Sequence, residues 1–550
     1  MQSYSPRLVL LLGCFICLIS CSQKEKADLL VLNANIYTVD GNFSVVEALA
    51  IRDGKIIKTG NTKSLLHAYE AKEIMDAQGK FVYPGFIDAH CHFLEYGRGL
   101  NECDLTGTKS WMEVVNRLKS FAGKHPGGWL VGRGWDQNDW ENKEFPTNDS
   151  LNILFPDRPV FLSRVDGHAA IANKKALDIS GIQPDQKLIG GEIETQNGIL
   201  TGLLIDNATD IVQSHFTSSS NEEKKKWLQD AQEKCFAVGL TSVQDCGLDF
   251  EDVQLIKDLY ASAALKMRMY IMLSDKKENY DWAFKHGKIK TDQLSVCSFK
   301  LYADGALGSR GACLLQPYAD KPNHFGFILK DQRYYDSILQ VIATHNWQAC
   351  THAIGDSANR TILKFYKKLL QGKGDMRWRI EHAQVVNRYD INLFAESHTI
   401  PSVQPTHATS DMYWAGERLG KERIKTAYAY QQLLQQSGWL ALGTDFPVED
   451  ISPIKTFYAA VVRKDANHFP ESGFQIENAL SRKDAIKGMT VWAARAAFEE
   501  DEKGSLEKGK FADFVILDKD LMKENEKSLL DVKILYTVVS GKIVFKGASE

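Results

Sequence analysis

Metal-binding side chains end one apolar run near the start of the chain. The stretch "PGFIDAHCHF" (84–93) finishes in His90, Cys91 and His92. Alternate residues of a strand face the same side, so His90 and His92 can hold one ion while Cys91 points the opposite way. Strands also carry histidines for hydrogen bonding, and this stretch by itself does not separate the two interpretations.

Comparable side chains end four later runs, which carry Lys300, His352, His382 and Asp445. Imidazole and carboxylate groups are standard metal ligands, so five of the six side chains in this set suit a divalent ion. For Lys300 the alternative is an ion pair with Asp304, and for Asp445 it is a cap or turn position after a strand. Six such residues at the ends of five runs, in chain order, predict a metal centre.

The runs that carry these residues predict an α/β fold. Short apolar runs alternate with stretches of helical periodicity, which is the pattern of βα units and a parallel sheet. Eight runs indicate a (β/α)8 TIM-like barrel, whose active site lies at the carboxyl ends of the strands. The runs are 81–92, 239–245, 265–273, 296–305, 347–356, 377–384, 400–408 and 439–448.

Both chain ends differ from this middle part. Residues 28–80 and 501–550 contain short alternating strands with turn signals, and we expect the two parts to build one small β domain. The barrel domain then spans 81–500. A large insertion after the first strand, at about 103–235, is rich in Trp, Gly and Asp, and we expect it to cover the mouth of the barrel.

The composition is that of an ordinary globular protein. The 550 residues are 44% hydrophobic and 25% charged, with a formal net charge of −4 and an isoelectric point near 6.4. The sequence contains no basic block of the kind that binds a phosphate backbone, which argues against nucleic acid as a partner. The seven cysteines after residue 21 lie in apolar runs and are expected to be core residues, not a disulfide framework.

The N-terminus has the layout of a secretory signal. Arg7 precedes an apolar stretch that is too short to span a bilayer, so residues 1–20 are predicted to be a signal peptide. Leu18, Ile19 and Ser20 before Cys21 resemble a bacterial lipobox. We therefore expect a lipid on Cys21 and a membrane-anchored protein on the periplasmic side of the cell envelope, with the outer membrane favoured. A plain cleaved signal is the alternative.

The text around these residues resembles the amidohydrolase superfamily, and within it the amidohydrolase 3 branch of metal-dependent hydrolases. The resemblance runs from about residue 28 to about residue 547. It implies a barrel with a β-sandwich assembled from both chain ends. The matching motifs are "PGFIDAHCHF", "DGHAAIANKKAL" (166–177), "KLYADGALGSRGA" (300–312), "THAIGD", "RIEHAQ", "GTDFPV" and "GSLEKGKFADFVILD" (504–518).

This resemblance also implies roles for the six residues. His90, His92 and Asp445 would hold a first metal, and His352 and His382 a second. Lys300, carboxylated by CO2, would bridge the two ions as an anionic oxygen donor; an unmodified lysine implies a mononuclear site. One or two divalent ions are expected, with Zn2+ preferred over Mn, Fe or Ni. A metal-activated hydroxide would then be the nucleophile. Asp445 would accept its proton during attack and pass it to the departing nitrogen.

The function implied is hydrolysis of a non-peptide carbon–nitrogen bond in a small molecule, such as an amide or an N-acyl or N-formyl compound. Deamination or cyclic-amide hydrolysis is the alternative within enzymes, and a ligand-binding barrel without activity is the alternative outside them. A homodimer is compatible with the sequence. His168 is a candidate oxyanion donor, or alternatively a structural histidine. The candidate substrate-binding residues are Trp135, Asp166, Asp304, Arg310 and Gln404.

Overall fold

A computed structural model describes residues 24–548. The predicted signal peptide and Cys21 lie outside the described residues. The largest sheet holds eight parallel strands in barrel order, and the short strand Ile289–Lys290 pairs with the fourth of them. We number the eight β1 (Phe86–Cys91), β2 (Leu240–Leu248), β3 (Arg268–Ser274), β4 (Leu294–Tyr302), β5 (Gln348–Ala353), β6 (Arg379–His382), β7 (Ile400–Val403) and β8 (Ala441–Leu442).

Backbone hydrogen bonds beyond the end of β8 close the barrel onto β1. The amide of Asp445 donates to the carbonyl of His90 (2.7 Å), and the amide of His92 donates to the carbonyl of Phe446 (2.8 Å). The predicted (β/α)8 barrel is confirmed. One difference concerns the run 81–92, which forms two strands, because Phe81–Pro84 pairs in a sheet built from the chain ends and Phe86–Cys91 pairs with β2 in the barrel.

Helices cover the outside of the barrel, as the alternating pattern predicts. The helix before β2 begins with a capping box, in which the Ser220 and Glu223 side chains each bond the other's backbone amide. The helices associated with the barrel are Phe93–Gly99, Asn221–Ala237, Phe250–Ala261, Lys277–His286, Gln332–Thr344, Asp356–Leu370, Leu393–Glu396, Pro405–Asp411, Ala415–Arg423, Tyr430–Ser437, Pro453–Val462, Arg482–Gly488 and Val491–Ala496.

The two chain ends build a pair of sheets, as predicted. One sheet has four strands and contains only N-terminal residues, in the order Lys55–Gly60, Ala48–Arg52, Glu25–Leu32, Tyr69–Asp76, with the helix Thr62–Ala68 beside it. The other mixes the two ends, in the order Lys542–Lys546, Ile534–Val539, Phe514–Leu517, Phe81–Pro84, Asn35–Tyr37, Val45–Val46. Their facing apolar side chains, among them Val31, Val82 and Phe514, form one buried cluster.

The insertion between β1 and β2 folds around a sheet of its own. The strand order is Gly191–Gln196, Ile199–Asp206, Ala169–Ala172, Val160–Arg164, Leu130–Trp135, Cys103–Asp104. Helices Trp111–Lys124, Asp149–Leu154, Lys174–Ser180 and Asn207–Gln213 accompany it. Two separate apolar clusters lie within the insertion, which therefore has its own cores.

The seven cysteines within residues 24–548 are all free thiols; five are buried and two are partly buried. This agrees with their prediction as core residues. Across the same residues, no helix has the length and apolarity needed to cross a membrane.

Candidate metal centre

His90, His92 and Asp445 meet at the mouth of the barrel. His90 lies near the end of β1 and His92 directly follows it, and Asp445 follows β8, which lies next to β1. The Nε2 atoms of His90 and His92 lie 3.3 Å and 3.2 Å from Oδ1 of Asp445. Cys91 between them is fully buried among apolar side chains on the opposite face of the strand. Cys91 thus points away from His90 and His92, as strand alternation predicts.

A second group of histidines stands beside the first. The ring centroids of His352 and His382 are 4.5 Å apart, and that of His382 is 4.7 Å from His90. His407, in the helix after β7, stacks on His382 at 5.9 Å. Ligand atoms of His382, His407 and Asp445 lie within 4.8 Å of one another, so these three form a second candidate metal group.

Lys300 reaches the same place from β4. Its Nζ lies 3.1 Å from Nε2 of His90 and 4.8 Å from the centre of the Tyr302 ring. Asp304, its alternative partner in the sequence, instead accepts three backbone N–H bonds, from Cys313, Ile354 and Gly355. Lys300 is thus directed at the metal-binding side chains.

Glu381 orients the first histidine. Its Oε2 lies 2.5 Å from Nδ1 of His90, and both side chains are fully buried. Its other oxygen lies 2.7 Å from Nε of Arg379. Burial alone raises the pKa of the Glu381 carboxyl, but the adjacent Arg379 guanidinium and the His90 ring outweigh burial and lower it to about 2. A carboxylate on Nδ1 leaves Nε2 of His90 free for a metal.

Asp88 holds the loop that carries Asp445. Its carboxylate accepts the hydroxyl (2.7 Å) and the amide of Thr444, and also the amide of His90 at 3.0 Å. Asp445 itself has a φ of +63°, and His382 has a φ of +73°. Side chains other than glycine adopt this region at a cost, and such strain is common where the surroundings impose a functional geometry.

The chemistry of the donors fits a divalent metal. Burial lowers the pKa of both His352 and His382 well below the usual histidine value, so both rings are neutral, the form that binds metal. Oδ1 of Asp445, Nδ1 of His382 and Nε2 of His407 are buried, and none has a hydrogen-bond partner within residues 24–548. Buried polar atoms are normally paired, so this cluster is suited to bind an ion.

Above these residues opens a cavity of about 700 Å³. The barrel contributes His92, Lys300, His352, His382 and Asp445 to its wall. The insertion contributes Asp166, His168 and Asp206 on the facing side. The cavity therefore lies between the two parts of the chain, with the metal-binding side chains at its base.

Of the five predicted substrate-binding residues, Asp166 lines this cavity and four do not; His168, the predicted oxyanion donor, also lines it. Trp135 is fully buried in an insertion core, where its indole N–H donates to Leu162. Asp304 is fully buried under its three backbone donors, and Arg310 pairs with Asp320 in the loop after β4. Gln404 is buried behind β7 and bonds Ser402. None of these four side chains lines the cavity, although Oδ1 of Asp304 lies 3.6 Å from Nε2 of His352.

Two residues of the site escaped the sequence interpretation. His407 lies three residues beyond Gln404, in the predicted strand run 400–408, where Pro405 opens a helix. The histidine in this run was a usable signal, because a side chain in the first turn after a barrel strand still faces the mouth. Asp206 had no such signal, because it belongs to the insertion sheet and reaches the cavity only through tertiary packing.

A model of the amidohydrolase family matches residues 73–545, and the chain belongs to this family. The protein LONG AFTER FAR-RED 3 of Arabidopsis thaliana is 33% identical over 94% of this chain and 92% of its own. The N-substituted formamide deformylase of Arthrobacter pascens is 25% identical over 95% and 99%. An uncharacterized metal-dependent hydrolase from Pyrococcus horikoshii OT3 is similar in structure, with a TM-score of 0.73, 29% identity, and coverage of 90% and 99%.

Proposed function

We propose that this protein is a metal-dependent hydrolase of a carbon–nitrogen bond in a small N-acyl or N-formyl compound. The observation that carries the proposal is the position of Asp445, whose Oδ1 lies within 3.3 Å of both His90 and His92 at the base of an open cavity. The similarity to an N-substituted formamide deformylase and to a metal-dependent hydrolase supports this substrate class and the need for metal.

His90, His92 and Asp445 would hold one ion, and His382 with His407 or His352 a second, with Lys300 available as a carboxylated bridge. Imidazole and carboxylate donors favour Zn2+. When bound, a divalent metal supplies a nucleophile at neutral pH and polarises the carbonyl of the substrate.

The protein's own groups complete the reaction. Asp445 is placed to accept a proton from the attacking water on its carboxylate and to pass it to the departing nitrogen. The carbon–nitrogen bond then breaks with its electrons on nitrogen, and a carboxylic acid and an amine leave. Glu381 keeps His90 in one orientation throughout, through its bond to Nδ1.

The test is a substrate screen on the protein loaded with Zn2+. A panel of N-formyl and N-acetyl amines, with cyclic amides and aminopurines as comparison compounds, is scored for amine, acid and ammonia. We expect release of amine together with acid. Asp445→Asn is expected to lower kcat by about 100-fold or more, since a positioned acid–base group contributes this much.

Asp178→Asn is the matched control, because Asp178 is exposed and its carboxylate pairs with Lys174 on a surface helix. Ammonia as the sole nitrogen product would instead favour deamination. Unchanged turnover in Asp445→Asn, or full activity after the metal has been removed with a chelator, would contradict the proposal.

We also propose that the chain is lipid-anchored through Cys21 on the periplasmic side of the envelope, which the lipobox-like residues before it support. Metabolic labelling with an alkyne fatty acid is expected to tag the protein, and Cys21→Ser is expected to abolish the label. If Cys21→Ser were labelled as strongly as the wild-type protein, the proposed lipid anchor on Cys21 would be refuted.

A further inference from the structure

His168 and Asp206 form a pair on the insertion side of the cavity, in which Asp206 is fully buried and His168 is partly buried. Nδ1 of His168 lies 2.8 Å from Oδ1 of Asp206, and the Asp206 amide donates to the His168 carbonyl at 2.8 Å. The two residues stand opposite each other at the end of an antiparallel pair, one position beyond the partners Ala169 and Ile205. Backbone and side-chain bonds together therefore set the position of the His168 ring.

The carboxylate of Asp206 rests against the loop that follows β4. A Cβ on Gly305 or Gly311 would lie 2.3 Å or 2.1 Å from its oxygens, so only glycine leaves room for it. The carbonyl of Gly305 in turn lies 3.4 Å from Nε2 of His352. The Asp206 side chain is fully buried, so its contacts connect the insertion to the metal-binding end of the barrel.

The ring of His168 lies close to the reacting end of the cavity. Its centroid is 5.0 Å from the His352 ring and 6.4 Å from the Tyr302 ring. A carboxylate only accepts hydrogen bonds, so Nδ1 carries the proton in this pair. In the neutral ring Nε2 is then an acceptor, and as the second nitrogen it is the one left for a ligand.

We infer that His168 is a further catalytic residue, whose Nε2 accepts a hydrogen bond from the N–H of the scissile amide, and that Asp206 is its positioning residue. The substrate class follows from this role. A scissile nitrogen that carries hydrogen satisfies Nε2, whereas a fully substituted nitrogen leaves it unpaired, and sites built around such a bond discriminate strongly. The inference rests on the proposed function and narrows it to N-monosubstituted amides.

The experiment compares N-butylformamide with N-butyl-N-methylformamide, using kcat and KM for each on the Zn2+-loaded protein. We expect the monosubstituted compound to be favoured in kcat/KM by at least about tenfold. His168→Ala is expected to remove most of that preference by slowing the monosubstituted compound alone. His168→Gln restores an acceptor oxygen and should recover part of it.

Asp206→Asn tests the positioning role, because an amide can donate to Nδ1 and so move the ring proton to Nε2. The preference is expected to fall as in His168→Ala, with metal content and melting temperature unchanged. His215→Ala and Asp185→Asn are the matched controls, since both side chains are exposed on the insertion. Both controls should keep the preference.

The outcomes separate the two proposals. A preference of equal size in wild type and His168→Ala would show that the methyl group acts by its bulk, and would overturn the inference while the proposed function stands. An equal loss on both compounds in Asp206→Asn would assign Asp206 a purely structural role and would also overturn it. No amine from either compound, with metal bound, would overturn this inference together with formamide hydrolysis.

Discussion

At the scale of single residues, Glu381 fixes the orientation of His90, a candidate metal ligand, through its bond to Nδ1. Glu381→Gln keeps the shape but removes the charge on Nδ1 of His90, and we expect metal affinity to fall by about 10–100-fold. The variant should fold, because Arg379 retains bonds to Gln244, Ala89 and Ser402. Affinity is measured by competition with a chelator.

Glu396→Gln is the control for this prediction, since Glu396 is exposed and pairs with Lys367 on a helix surface. A metal affinity for Glu381→Gln equal to that of the control would mean that His90 needs no orienting partner.

Cys91, in contrast, is predicted to take no part in metal binding. It is fully buried among apolar residues, and its Sγ donates to the carbonyl of Gln244 at 3.5 Å. We expect Cys91→Ala to keep its full metal content and to lose about 1 kcal/mol of stability from the small space left behind. Metal analysis together with thermal unfolding checks both parts, and loss of the metal would show that Cys91 is a ligand.

At the scale of elements, the loop after β4 packs against the carboxylate of Asp206 and fixes its position. In Gly311→Ala the new Cβ would lie 2.1 Å from Oδ2 of that carboxylate, so the pair with His168 must shift. We expect kcat/KM on the preferred amide to fall by about tenfold or more, since a displacement of about 1 Å can cost this much. Metal content should not change.

Gly416→Ala is the control for the loop prediction, because no atom lies within 4 Å of the position its Cβ would take. It should leave the kinetics as they are. Equal activity in Gly311→Ala and Gly416→Ala would contradict the role of the loop.

The elements also show what the sequence could predict. The eight barrel strands and their polar ends follow a local pattern, and β1, β4, β5 and β6 each end at or within two residues of a residue predicted to bind metal. The pairing of His168 with Asp206 depends on how the insertion packs on the barrel, which no local pattern contains. Trp135 shows the same limit, because a tryptophan in a Gly-rich run suits a core as well as a cavity wall.

At the scale of the whole molecule, a buried ion pair joins the barrel to the sheet that contains strands from both chain ends. Arg268 at the start of β3 forms two bonds to Asp513, at 2.5 Å and 3.0 Å, and its guanidinium lies 3.7 Å above the Phe511 ring. We expect Asp513→Ala to destabilise the protein by about 3–5 kcal/mol, because it leaves a buried charge unpaired.

Chemical unfolding measures this cost, with Asp178→Ala as the control. The exposed pair of Asp178 with Lys174 is expected to contribute only about 0.3–0.5 kcal/mol. Similar unfolding midpoints for the two variants would show that the barrel and the sheet are not coupled through Arg268.

The bonds that close the barrel have one more consequence. The amide of Asp445 completes the cylinder by bonding His90, and the side chains of the same two residues belong to the proposed first metal site. The strands that meet there are separated in sequence by the insertion and by every other barrel strand. A chain that has not finished folding therefore has no intact first metal site, and tight metal retention reports that the fold is complete. The barrel therefore has to close before the proposed first metal site is complete.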